Sequence, residues 1–235
     1  MNYALIFAGG VGSRMKYGDI PKQFLTIAQK SIIILTIEKF AENDNIDGII
    51  VVCKDGHIDR LNSQLQDHKI QKVIDVVPGG TTAQESILFG LRRLKEYDEN
   101  NNIVVIHDGV RPIIDSDLIS KNIDAVSKYG SCVTTVSCKE TILYRDGSGL
   151  NDYSALNRRN CLIARAPQCF KINDVLPAAE KSYAEKLEFI DTYSLMEYNG
   201  LKAHLIEGKH SNIKITTFDD YLMAKNLLEK AFDHE

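Results

Sequence analysis

Five short apolar runs rich in Val and Ile, at residues 4–8, 48–53, 72–77, 103–107 and 131–136, constrain this chain most strongly. They are too short for buried helices, and they read as strands covered on both faces. Between them, apolar residues recur at helical spacing over 32–40, 57–68, 82–97 and 117–129. This alternation predicts an α/β fold, a Rossmann-like three-layer sandwich whose mostly parallel, twisted sheet lies between helices. Helix starts are marked by Thr82-Ala-Gln-Glu85 and Thr217-Phe-Asp-Asp220, both of capping-box type, and Gly130 closes the helix before it.

The rhythm breaks after Cys138. Residues 139–170 contain the turn-rich Arg145-Asp-Gly-Ser-Gly149 between two extended stretches, which predicts a β-arm projecting from the domain. Helices are expected to return at 174–185 and 191–198, followed by a strand at 202–206 and a last helix at 218–232. With 235 residues and no linker or repeat, the expectation is one domain over 1–235.

A net charge of −4 opposes general nucleic-acid binding, which needs many phosphate-neutralising cations, so any anion site must be local. No apolar run approaches the roughly 18 to 20 residues that span a bilayer, and the N-terminus has no signal-peptide pattern. A cytoplasmic protein without a membrane partner is expected. The five cysteines form no C-x-x-C pair and read as buried reduced thiols.

The first strand runs directly into Gly9-Gly10-Val11-Gly12-Ser13-Arg14, and a second cation follows in Pro21-Lys22-Gln23-Phe24. In parallel sheets, ligands bind beyond the carboxyl ends of strands. A glycine-rich turn there lets backbone N–H groups approach an anion, and Arg14 and Lys22 add fixed charge. The loop is not a Walker A motif, because Ser13-Arg14 stands where Lys-Ser/Thr would be needed. Nor is it a dinucleotide fingerprint, because Met15 replaces the third glycine. The bland alternative is a turn that only lets strand meet helix.

The segments AGGVGSRM…PKQF, HDGVRP at 107–112 and SNIKITT at 211–217 together resemble the cytidylyltransferases that make CDP-methylerythritol and CDP-ribitol. The resemblance implies a CTP-dependent nucleotidyltransferase acting on a polyol phosphate with Mg²⁺. It implies that Ala8, Gly9, Gly10, Gly12 and Ser13 hold CTP, with Arg14 and Lys22 neutralising the triphosphate and the transition state. Gly80, Thr81 and Ser86 would read the base, although Ala83 stands where family members usually carry arginine. Asp108 would bind both CTP and the metal; helix capping or pairing with Arg111 is its alternative role. Arg111, Thr141, Arg158 and Lys214 would contact the acceptor, with Lys214 also counted as catalytic. Arg158, whose register against Arg159 is uncertain, would reach across a homodimer built through the arm; a solvated surface arginine is the alternative. His107 reads as a packed strand residue rather than a base, because an ionised phosphate nucleophile needs none.

Ala166, Ile190 and Ser211 replace polar residues by which methylerythritol enzymes hold their acceptor. Ala8-Gly9-Gly10 and Ser-Asn-x-Lys-x-Thr-Thr look like the ribitol-phosphate branch, whereas SLMEYNG at 194–200 looks like the methylerythritol branch. The resemblance therefore favours ribitol 5-phosphate, serving teichoic-acid or capsule synthesis, over methylerythritol 4-phosphate, serving isoprenoid synthesis. The reading from another class is a nucleotide-binding protein that has lost turnover.

Overall fold

The computed structural model describes residues 1–9, 20–97, 100–145, 147 and 152–232. In chain order the strands are β1 (Asn2–Ala8), β2 (Thr26–Ile27), β3 (Lys30–Ser31), β4 (Gly48–Cys53), β5 (Val73–Pro78), β6 (Ile103–Asp108), β7 (Ser131–Ser137), β8 (Leu143–Arg145), β9 (Tyr153–Ala155), β10 (Leu162–Lys171) and β11 (His204–Glu207). The helices are α1 (Ile32–Ala41), α2 (Ile58–Asp67), α3 (Ala83–Lys95), α4 (Ser116–Tyr129), α5 (Ile172–Ala184), α6 (Thr192–Tyr198) and α7 (Phe218–Phe232).

Seven strands form the main sheet in the order β11-β7-β10-β6-β1-β4-β5. Neighbours run parallel except around β10, which is antiparallel to both β6 and β7. The period-2 alternation of strand side chains divides the core between the two faces of the sheet. Ala4, Ile6, Ile49, Val51 and Val105 pack with α1, α2 and α4, while Leu5, Ile50, Val104 and Ile106 pack with α3, α5 and α6. This is the three-layer α/β sandwich that the sequence predicts. A smaller cluster, including Leu25, Ile32, Ile215 and Leu228, holds α7 against the segment after β1 and the 211–217 stretch.

The helix caps form as their residue types dictate. Thr82 accepts from the Glu85 N–H at 3.1 Å, but the Glu85 carboxylate turns to the Thr81 N–H at 2.7 Å, one residue earlier than a standard box. Thr217 and Asp220 cap α7 reciprocally, and Asp191 and Ser194 do the same for α6. Gly130, at φ 88°, ends α4.

Two expectations need correction. The arm was expected to run to 170, yet residues 166–170 are buried within β10 in the middle of the sheet. Arg165 and Pro167 interrupt the apolar pattern there, and burial comes from insertion between two strands remote in sequence. What projects is the β8–β9 hairpin, whose two strands are exposed, and a 3-10 turn at Arg158–Asn160. Of the cysteines, Cys53, Cys132 and Cys169 are buried, but Cys138 and Cys161, at the base of the arm, are only half-buried; all five are free thiols. Burial pushes the Cys53 thiol pKa up to about 11, so it is an inert core residue. Among the described residues, no helix is long and apolar enough to cross a membrane.

Candidate active site

The carboxyl ends of β1, β4, β5 and β6 lie side by side, with Phe7 opposite Asp108 and Cys53 opposite both Ala8 and Pro78. β1 is flanked by β4 on one side and β6 on the other, which makes its end a point where strand order reverses. Two glycines make this edge possible. A Cβ on Gly79 would stand 2.8 Å from Gly9 Cα, and one on Gly9 would stand 2.5 Å from Ser86 Oγ. The loops after β1 and β5 therefore touch backbone to backbone. Gly79→Ala should cost about 1–3 kcal/mol, since neither backbone can yield without shifting a strand end. Urea unfolding checks this; a change below about 0.5 kcal/mol would show that the loops part freely.

Ser86 is fully buried. Its hydroxyl accepts from the Gly80 N–H at 3.1 Å and donates to the Thr82 carbonyl at 2.8 Å. Thr81 donates its hydroxyl to Glu85 at 2.5 Å. Both side chains thus shape the loop after β5 by bonding within it. Gln23, which sequence reading passed over, is buried and donates to the Ala8 carbonyl at 3.0 Å, fixing the end of β1. Its neighbour Lys22 donates to the Ile215 carbonyl at 2.9 Å, so PKQF ties the first loop to SNIKITT. Gly10, Gly12, Ser13 and Arg14 lie outside the described residues.

Asp108 ends β6 with its side chain only 8% exposed. Its Oδ2 accepts from Arg111 Nε at 2.7 Å and its Oδ1 pairs with Lys214 Nζ. Burial alone would raise the carboxyl pKa. The charges and hydrogen bonds of Arg111 and Lys214 outweigh it and hold the group well below the usual carboxylate range. Arg111 also donates to the Asn212 carbonyl at 3.1 Å, and Asn212 donates to the Ala166 carbonyl at 2.7 Å. HDGVRP, SNIKITT and β10 are therefore clamped together around one ion-pair cluster. Lys214 lies 39% exposed, with its ammonium 5.7 Å from the centre of the Phe7 ring.

His107, just before Asp108, is fully buried, and burial pushes its pKa down to about 4. Its Nε2 lies 3.1 Å from the Arg111 carbonyl, which can only accept, so Nε2 carries the proton of a neutral ring. It is a packed strand residue. Because its folded pKa lies below the ordinary 6.5, the unfolded chain takes up the proton first, and stability falls as pH drops from about 6.5 to about 4. The contribution lost is about 3 kcal/mol at the lower end. His107→Gln should flatten this part of the urea-stability profile; an identical fall in both proteins would locate the effect elsewhere.

A cavity of about 220 Å³ opens beside the cluster. Asp108, Arg111 and Lys214 stand on its wall, and Ile87, Val175 and Leu195 lend it an apolar side. Gln84 donates to the Leu187 carbonyl and accepts from the Phe189 N–H, each at 2.9 Å, holding the next loop over α3. Gln168 bridges Asp191 and the Tyr193 N–H. Thr141 and Arg158 do not line this cavity; both are exposed at the arm, where Arg158 donates to the Lys139 carbonyl at 2.8 Å.

Lysine and arginine gathered at the reversal point of a parallel sheet define a class, the α/β proteins that take anionic ligands at strand ends. A family profile described as IspD, 2-C-methyl-D-erythritol 4-phosphate cytidylyltransferase, matches residues 3–230. The chain is 44% identical over 233 residues to a ribitol-5-phosphate cytidylyltransferase of Vibrio parahaemolyticus, covering 97% of this chain and 96% of that one. It is 38% identical over 229 residues to a 2-C-methyl-D-erythritol 4-phosphate cytidylyltransferase of Clostridium tetani, covering 97% and 91%. In structure it is similar to the 4-diphosphocytidyl-2C-methyl-D-erythritol synthase of Anaerococcus prevotii, with a TM-score of 0.82, 28% identity and coverage of 97% and 96%. The chain belongs to this family of cytidylyltransferases, which are nucleotidyltransferases.

Proposed function

We propose that this protein transfers CMP from CTP to D-ribitol 5-phosphate, releasing CDP-ribitol and pyrophosphate. The observation that carries the reading is the convergence of Lys22, Arg111 and Lys214 around the end of β6, in a chain more similar to the Vibrio ribitol-5-phosphate enzyme than to the Clostridium methylerythritol one. An oxygen of the acceptor phosphate attacks the α-phosphorus of CTP, the bridging α–β P–O bond breaks, and its electron pair leaves with pyrophosphate. Both reactants are anions, so the protein contributes in-line placement and positive charge. Lys22, fixed between the first loop and the Ile215 carbonyl, neutralises the triphosphate; Lys214 and Arg111 face the incoming phosphate.

Asp108 is the candidate ligand for Mg²⁺. Its Oδ2 is committed to Arg111, but Oδ1 is held by the half-exposed Lys214, which can swing aside. Among the described residues there is no group of three or more His, Cys, Asp or Glu that could hold a metal, so the phosphates and water would complete the shell. The ion would supply charge neutralisation on the triphosphate and polarise the α-phosphoryl group. Arg158 and the exposed Leu143, Tyr144 and Tyr153 of the arm suit a homodimer in a cytoplasmic enzyme; mass measurement in solution checks the assembly.

Pyrophosphate release from CTP and Mg²⁺ tests the function across ribitol 5-phosphate, methylerythritol 4-phosphate and other polyol phosphates. The fastest release is expected with ribitol 5-phosphate. Preference for methylerythritol 4-phosphate would move the protein to the isoprenoid branch, and silence with every acceptor would leave a nucleotide-binding protein without turnover.

A further inference from the structure

β10 reaches the ligand edge in an unusual way. Because it runs against β6, its first residues, rather than its last, stand beyond Asp108. Its ladder to β7 also breaks there: Ala164 lies opposite Thr135 and Gln168 opposite Val133, four steps on β10 against two on β7. The surplus residues form a bulge, a device that re-aims side chains. It carries Arg165 onto the wall of the cavity that contains Asp108, Arg111 and Lys214.

Arg165 is the unmatched charge of this wall. Arg111 and Lys214 both pair with Asp108, and the wall's other carboxylate, Asp191, caps α6 and accepts from Gln168. Among the described residues Arg165 has no ion pair, and its Nε is buried without a hydrogen-bond partner. Burial and the nearby charge of Arg111 push its pKa down, against the more favourable field of Asp220, yet a guanidinium stays protonated. The neighbouring Ala166 and Ile190 offer the cavity no side-chain donor. A half-buried guanidinium fork without a carboxylate suits a phosphate dianion, which can accept from both of its edges.

We infer that Arg165 binds the phosphate group of the acceptor and, with Arg111 and Lys214, sets its place beside the α-phosphorus. The inference rests on the proposed cytidyl transfer and adds to it a specificity residue on the bulge of β10. Titration calorimetry with D-ribitol 5-phosphate, unphosphorylated ribitol and CTP, on the wild type, Arg165→Gln and Arg165→Lys, tests it. Arg165→Gln should weaken ribitol 5-phosphate by about 10- to 100-fold and leave CTP within about twofold, because a lost charge-assisted contact acts only on the ligand that made it. Arg165→Lys should recover part of the loss and serves as the readout if the glutamine variant fails to fold. Unchanged acceptor affinity, or equal losses for acceptor and CTP, would overturn the assignment. Pyrophosphate release by the wild type separates the two ideas. Turnover with an acceptor KM indifferent to Arg165 removes this residue alone, whereas phosphate binding through Arg165 without turnover removes the transferase reading alone.

Discussion

Lys22→Ala is expected to lower kcat/KM by about two to three orders of magnitude, the scale of removing one preorganised charge from a transition state. The fold should survive. Lys22 is half-buried and donates a hydrogen bond to the Ile215 carbonyl, whose loss should lower the urea stability by about 1 kcal/mol. Steady-state pyrophosphate release together with urea unfolding separates the two effects. Turnover within about threefold of the wild type would mean that the triphosphate is neutralised elsewhere. A large stability loss matching the activity loss would mean that Lys22 serves chiefly to fasten the 211–217 segment.

Arg111→Met carries the largest expected effect on stability. It leaves Asp108 on the protein side of the cluster with only the half-exposed Lys214 as counter-charge, and it frees the Asn212 carbonyl. Breaking a buried pair from one side costs about 3–5 kcal/mol, because the remaining charge keeps its desolvation penalty. The loss near pH 7 should shrink when Asp108→Asn is added, since the amide needs no cation; additive losses in the double variant would show that the two side chains act independently. The sign of the pH dependence follows from the depressed carboxyl pKa of Asp108. The ion pair stabilises the fold above the unfolded carboxylate pKa and ceases to do so as pH falls through the folded value, well below the window assigned to His107.

The layers of the fold were legible because their signals are local. The runs at β1, β4 and β6 are apolar without interruption, and the caps at Thr82, Thr217 and Gly130 are written within four residues. β10 was not legible as a central strand. Its burial depends on where β6 and β7 stand, and Arg165 and Pro167 disguise it. The same division runs through the site. Lys22, Asp108, Arg111 and Lys214 stand out as charges at strand ends or in a recognisable motif. Their joining does not, since Lys22 meets Ile215 across 193 positions and Asn212 meets Ala166 across 46. Gln23 and Gln84 were missed because an amide that satisfies backbone groups looks, in sequence, like any surface glutamine. Arg165 gave no signal, as only the bulge aims it inward.

The reversed direction of β10 has a consequence for how such an enzyme can change. The loops proposed to hold the nucleotide follow the outgoing ends of β1, β5 and β6, whereas the wall proposed for the acceptor is built from the incoming end of β10 and the 211–217 stretch. On that proposal the two substrates would be met by chain ends of opposite polarity, joined through the Asp108 cluster. If the proposed division holds, substitutions at 165, 166, 190 or 211 should redirect the protein to another alcohol phosphate while the grip on CTP is left as it was. One scaffold can thus divide into branches that differ in what they cytidylylate and agree in how.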